Sequence, residues 1–282
     1  MHMDDGLQTK YRQMVEAIRQ MQRVIVAFSA GVDSTVVLKV ALDTLGPANV
    51  LALTGVSPSL ASRELQSVKD LAEALSAPLQ LIDTDEMSDP RYAANNPDRC
   101  YFCKSDLFNR CNRIAAEKGF KVVLNGVNAD DAGDWRPGLQ AARELAVRAP
   151  LLEAGMSKAD VRALAKHLNL PNWEKPALAC LASRIPYGTP VTITSLSQVE
   201  QAEAFLDERG FRNFRVRHHQ KLARIEVSPA DLHRLLEEPL RSDLIAHLKK
   251  IGYVYVTVDL QGFRSGSGNE VLQNVVGTAP SR

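Results

Sequence analysis

Arg23-Val24-Ile25-Val26-Ala27-Phe28-Ser29-Ala30-Gly31-Val32-Asp33-Ser34-Thr35 is the stretch that decides the fold. Residues 24–28 form a near-continuous apolar run of strand length, which suits a strand buried in a parallel sheet. Val36-Val37-Leu38-Lys39-Val40-Ala41-Leu42 then reads as a helix that ends near Gly46 and Pro47. Between strand and helix lies a turn of small and hydroxylated residues. Small residues let backbone approach a phosphate, and Ser29 and Ser34 add hydroxyls. The helix N-terminus adds unpaired N–H groups and the positive end of a dipole. The Gly-Lys-Ser/Thr ending of a Walker A loop is missing. A plain helix cap, with Asp33 or Ser34 as N-cap, is the simpler alternative. Position directly after a buried first strand favours phosphate binding.

Working outward, Leu7, Tyr11, Met14, Val15, Ile18 and Met21 fall at helical spacing before this stretch. After it come a strand at 50–54, a helix at 61–76, a strand at 78–83, a helix at 104–118 and a short strand, Val122–Leu124. This alternation predicts an α/β domain with a parallel sheet. The texture changes around Pro186-Tyr187-Gly188-Thr189-Pro190. Beyond it the pattern predicts a helix at 195–209, strands at 213–218 and 222–227, a helix at 229–250 and a strand at 253–259. The expectation is two domains: a larger α/β domain over 1–185 and a smaller α+β domain over 186–282.

The 282 residues are 45% hydrophobic and 24% charged, with a net charge of +1. Such a chain has no global basic field of the kind a nucleic-acid binder carries. No apolar run reaches the roughly 20 residues needed to span a bilayer. The N-terminus lacks signal-peptide order, so the expected address is the cytoplasm.

Four cysteines in a cytoplasmic chain point to metal or catalysis before disulfides. Cys100-Tyr101-Phe102-Cys103-Lys104, read as sitting just before a helix, fits a metal, a cluster or a redox dithiol. Cys180 is the candidate third thiol. Three thiolates with no nearby histidine leave a closed zinc site one ligand short. Iron–sulfur clusters usually take four cysteines, so three suggest a cluster with an open iron. Structural zinc or a chance dithiol is the plainer reading. Cys111 lies in helical register with Leu107, Phe108 and Ile114, which implies packing.

Arg209, Arg212, Arg215, Arg217, Lys221 and Arg224 occupy an acid-free stretch. A period of two puts Arg215 and Arg217 on one strand face, and paired forks suit a phosphate. A solvated edge strand is the alternative. His218 and His219 read as a turn pair. Residues 125–131 form an Asn- and Asp-rich loop in which Asp131 or Asp130 would bind magnesium, or which is simply a turn.

Residues 29–34 resemble the PP-loop of ATP pyrophosphatases, Ser-Gly-Gly-x-Asp-Ser, with Ala30 where that family usually has glycine. Alanine is tolerable there at negative φ and strained at positive φ. The resemblance implies bound ATP and magnesium. Ser29, Gly31, Asp33 and Ser34 would hold pyrophosphate. Ala27, Phe28, Thr54 and Gly55 would lie near adenosine, and Gly126 and Asp131 would belong to a second nucleotide-side loop. Lys158 matches a lysine common to this group.

Residues 128–139, 158–165, 170–177, 184–189 and 259–266 extend the likeness over nearly the whole chain. Together they resemble the LarE family, ATP-dependent sulfur transferases that build the nickel-pincer cofactor of lactate racemase. This implies a small-molecule substrate, pyridinium-3,5-biscarboxylic acid mononucleotide, whose carboxylates are adenylated and turned into thiocarboxylates. It implies a 4Fe-4S cluster on Cys100, Cys103 and Cys180, recharged by a sulfur donor. It places the substrate phosphate on Arg215 and Arg217 with Arg264 nearby. Arg184 would steady a carboxylate or AMP, and Lys175 would offset charge. Glu203 and Glu226 would form a metal or subunit contact in a homo-oligomer, although Glu203 reads equally well as a helix-surface charge. The second domain would serve substrate binding and oligomerisation. Competing readings are a tRNA thiolase, an amide-forming synthetase of the NAD or GMP type, and a redox-sensing regulator that binds nucleotide.

Overall fold

The computed structural model describes residues 3–133, 137–176, 179–264 and 266–270. These fall within two compact units, Met1–Tyr92 with Pro97–Ala179, and Ala93–Asn96 with Cys180–Arg282.

In the first unit Asp4 caps helix α1 (Asp5–Met21) by accepting a hydrogen bond from the Leu7 amide. Strand β1 (Val24–Ala27) follows, then α2 (Val32–Leu45), β2 (Val50–Val56), α3 (Ser62–Ala74) and β3 (Leu79–Asp83). Next come α4 (Pro90–Ala93), α5 (Arg99–Lys118), β4 (Val122–Leu124), α6 (Pro137–Glu144), α7 (Pro150–Glu153) and α8 (Lys158–His167). The sheet order is β3-β2-β1-β4, and every pairing is parallel. Val24, Ile25 and Val26 are fully buried, as their unbroken apolar run required. One face packs on α1, α2, α7 and α8 through residues such as Ile18, Val36, Val40, Leu151 and Leu164. The other packs on α5 and α6 through Ile25, Leu53, Phe108, Cys111 and Ala142. Strands β2 and β3 lie to one side of β1, and β4 lies to the other. The order therefore reverses at β1/β4, where open α/β sheets bind ligands outside the carboxyl ends of their strands.

The second unit holds α9 (Ile193–Glu208), the antiparallel pair β5 (Phe214–His219) and β6 (Leu222–Val227), then α10 (Leu240–Lys250) and β7 (Tyr255–Val258). Strand β7 runs parallel to β6 at the sheet edge. Thr192 and Ser195 form a capping box on α9. Phe205, Leu206, Phe214, Val216, Ile225, Leu248 and Tyr253 fill its core.

Three expectations shift. The helix expected over 229–250 is two short 3₁₀ turns and then α10. Pro239 has no N–H to give and disfavours helical backbone at Glu238, so α10 begins only after it. The helix expected from 104 starts at Arg99, so the Cys-x-x-Cys pair sits inside its first turns. Residues 180–185 pack with the second unit, whereas the expected seam lay after 185. Two contacts hold them there. Arg184 forms a buried fork with Glu203 at 2.9 and 2.9 Å. The Asn95 amide donates to the carbonyls of Ile185, Pro186 and Thr189.

Among the described residues no helix is long and apolar enough to cross a membrane.

Candidate active site

The turn after β1 is held by its own hydroxyls. The Phe28 amide extends the ladder to the Leu53 carbonyl, and Thr54 Oγ1 donates to the Phe28 carbonyl at 2.6 Å. Ser34 Oγ donates to the Gly31 carbonyl at 3.1 Å and lies 3.2 Å from Ser29 Oγ. Thr35 Oγ1 also donates to the Gly31 carbonyl, at 2.8 Å. The N-cap of α2 is Gly31, not Asp33 or Ser34, and no side chain caps the helix. Its first-turn N–H groups face the turn without a side-chain acceptor, which is the arrangement that receives an anion. Ala30 is buried at φ +56°, the unfavourable case for an alanine at this position.

The loop after β4 lies directly against this turn. A Cβ on Gly126 would come within 2.7 Å of the Ser34 amide nitrogen and 3.0 Å of the Asp33 carbonyl carbon. Only glycine permits so close an approach. From this loop Asn128 Nδ2 donates to Asp33 Oδ1 at 3.1 Å. Lys158, the first residue of α8, donates from Nζ to Asp33 Oδ2 and from its backbone N–H to Asp130 Oδ2. Asp131 Oδ2 accepts from the Asn128 amide at 3.1 Å. A capping box of Ser157 and Asp160 fixes the start of α8 and so the base of Lys158. Asn172 Nδ2 donates to the Ala30 carbonyl at 3.1 Å and to Thr35 Oγ1 at 2.9 Å. The structure thus gathers Ser29, Gly31, Asp33, Ser34, Gly126 and Lys158 at the reversal point of the sheet. Asn128 and Asn172 belong with them. Sequence reasoning gave neither a role, since an isolated asparagine in a loop carries no spacing signal. Lys175 pairs with Glu64 at 2.9 Å.

Cys100 is exposed and Cys103 half-buried; three residues apart on α5, they share a helix face. Cys180 is exposed, in the second unit, at the start of a 3₁₀ turn. Cys111 is buried among apolar neighbours, and desolvation pushes its thiol up to about 12. It is a packing residue.

In the second unit Arg184, Arg217, Arg224 and Arg264 pair with carboxylates of that unit. Arg217 is buried and grips Glu226 at 2.9 and 3.0 Å, with Ser183 O and Ser267 Oγ as further acceptors. Arg224 reaches the same carboxylate at 3.1 Å. Arg184 holds Glu203, the Cys180 carbonyl and Ser183 Oγ. Glu203 is only 2% exposed, so it is not a helix-surface charge. Arg215 sits over the Phe263 ring, and Arg264 pairs with Glu270 at 3.2 Å. His218 and His219 end β5 rather than forming a turn. His218 Nδ1 pairs with the Tyr253 hydroxyl at 3.1 Å, and burial holds its pKa below the usual imidazole range.

Among the described residues no group of three or more His, Cys, Asp or Glu side chains is gathered to hold a metal ion.

Comparison with known proteins gives the family. Residues 6–116 match the family model described as NAD synthase. The chain is 43% identical to the pyridinium-3,5-bisthiocarboxylic acid mononucleotide synthase of Lactiplantibacillus plantarum, over 94% of this chain and 96% of that protein. It is 42% identical to an uncharacterised protein of Synechocystis sp., over 94% of this chain and 99% of that protein. A Methanocaldococcus jannaschii protein, also uncharacterised, is 28% identical over 86% and 92% of the two chains. With likeness of that degree along nearly its whole length, on a parallel sheet whose first turn has the PP-loop form, the chain belongs to the LarE family of ATP-dependent sulfur transferases.

Proposed function

We propose that this protein adenylates the carboxylates of pyridinium-3,5-biscarboxylic acid mononucleotide and converts them to thiocarboxylates for nickel-pincer cofactor synthesis. The observation that carries the reading is the uncapped α2 N-terminus at the β1/β4 reversal, with the Lys158 ammonium beside it. A carboxylate is a poor electrophile because its oxygen leaves badly. Attack by that oxygen on the α-phosphorus of ATP forms a P–O bond and expels pyrophosphate. Attack by sulfur on the acyl carbon then expels AMP. The turn at 29–34 and Lys158 offset charge on the triphosphate and the leaving pyrophosphate. Asp33 and Asn128 hold the lysine and the second loop in place. Ala27, Phe28 and Thr54 border adenosine. Asp131 or Asp130 takes magnesium. Arg215 and Arg264 are the substrate-phosphate candidates, Arg217 of the expected set being committed to Glu226, and Arg184 positions the Cys180 loop through its bond to the Cys180 carbonyl.

In kind, the thiols of Cys100, Cys103 and Cys180 are the donors a three-cysteine 4Fe-4S site uses. Such a cluster, when bound, supplies sulfide in deprotonated form near neutral pH. Completing that site, the sulfur donor, a homo-oligomer and a cytoplasmic setting are parts of the same proposal.

The test uses protein purified without oxygen and loaded with iron and sulfide. ATP, magnesium and the pyridinium dicarboxylate mononucleotide are added. Mass spectrometry then looks for replacement of oxygen by sulfur, with AMP and pyrophosphate assayed in parallel. The expected result is one or two thiocarboxylates formed only when ATP is present. Neither AMP nor thiocarboxylate, from protein shown to hold its cluster, would overturn the reading and make a tRNA panel the next assay.

A further inference from the structure

Resting on the ATP reading of this site, we infer that Asn172 is a positioning residue that sets which way a peptide of the phosphate loop faces. The peptide is the one joining Ala30 to Gly31. Its carbonyl accepts from Asn172 Nδ2 at 3.1 Å, on the inner side of the loop. In a trans peptide the carbonyl and the N–H point in opposite directions. The N–H of Gly31 accordingly lies on the other side, 3.4 Å from Oγ of the exposed Ser29. Asn172 thus keeps a carbonyl oxygen turned inward and an N–H turned toward the side where an anion would arrive.

The bond has an opponent. Ala30 stands at φ +56° with its methyl fully buried, a backbone region that alanine disfavours. Left alone, Ala30 would relax by turning about its N–Cα bond to negative φ, which would carry its carbonyl out of reach of Asn172 and disturb the facing of the peptide beyond it. Asn172 blocks the rotation at two points. It holds the Ala30 carbonyl directly, and it holds the Gly31 carbonyl through Thr35 Oγ1, which accepts from Nδ2 at 2.9 Å and donates to Gly31 at 2.8 Å. Both contacts use Nδ2. The Oδ1 atom is buried with no hydrogen-bond partner among the described residues. The buried amide is therefore placed by its donor side alone, toward the loop.

The test compares wild type, Asn172→Ala and the double variant Asn172→Ala/Ala30→Gly. A non-hydrolysable ATP analogue with magnesium is titrated into each by calorimetry, so that binding is read apart from turnover. Asn172→Ala should weaken binding about tenfold, the scale of the left-handed penalty it uncovers. The double variant should bind at least about threefold tighter than Asn172→Ala, because glycine accepts positive φ without that penalty. In turnover the loss should fall on KM for ATP more than on kcat. Asn172→Ser, which cannot span to the Ala30 carbonyl, is measured alongside and is read instead if Asn172→Ala does not fold. Unchanged affinity in a folded Asn172 variant would overturn the inference, as would a double variant no better than the single one. Wild type that binds no analogue would instead overturn the ATP reading, and this inference with it.

Discussion

Single atoms decide most at Asp33 and Cys180. Asp33 is shared between Asn128 and the Lys158 ammonium, so Lys158 reaches the phosphate loop already oriented. Lys158→Ala removes that charge and leaves Asp33 with an amide partner. Pyrophosphate release should fall about 10²- to 10³-fold, the usual cost of one lost electrostatic donor, as a coupled phosphate assay would register. Cys180 lies outside this network, in the other unit. Cys180→Ala should abolish thiocarboxylate formation and leave AMP formation largely intact; loss of both in a well-folded variant would refute the separation. The placing of the turn's serines and Lys158 beside one another was legible in the sequence because it depends on residue type and motif. Ala30 was legible only as a question, since its φ depends on the turn's path. Asn128 and Asn172 were not legible, because their roles come from contacts between segments far apart in the chain.

Among elements, the strands of the parallel sheet were the easiest to read. An apolar run such as 24–28 has few other places to go. The β4 loop needed coordinates, since nothing in Asn125-Gly126-Val127 states that the glycine meets the Ser34 backbone. Gly126→Ala should drive a methyl into backbone that cannot retreat. The cost should be about 1–3 kcal/mol of stability, with loss of ATP binding, measured by thermal melting and titration. Strand β5 carries a pH response. Burial holds the pKa of His218 down in the folded chain, while in the unfolded chain it takes a proton below its ordinary value of about 6.5. The unfolded state then binds more protons, so stability falls as pH drops below about 6.5. Melting temperatures between pH 7.5 and 5.5 should show that fall, and His218→Gln should lessen it, the remainder coming from His219, which burial shifts the same way. The helix expected over 229–250 failed because apolar spacing continues across Pro239 while hydrogen bonding does not.

For the whole molecule, two architectures were legible from the switch between alternating and clustered elements. Where one ends was not, because membership is decided by two buried contacts. The Arg184–Glu203 fork and the Asn95 amide draw residues 180–185 into the second unit. The same contacts make that unit discontinuous, since it takes in Ala93–Asn96 from the middle of the first. This bears on how the chain is born. A ribosome releases Asn95 long before Ile185, Pro186 and Thr189 exist to accept its hydrogen bonds. The tetrapeptide Ala93–Asn96 is thus made in the midst of the larger unit, while the partners that fix it are made only with the C-terminal third, so the smaller unit cannot be completed until synthesis is nearly over.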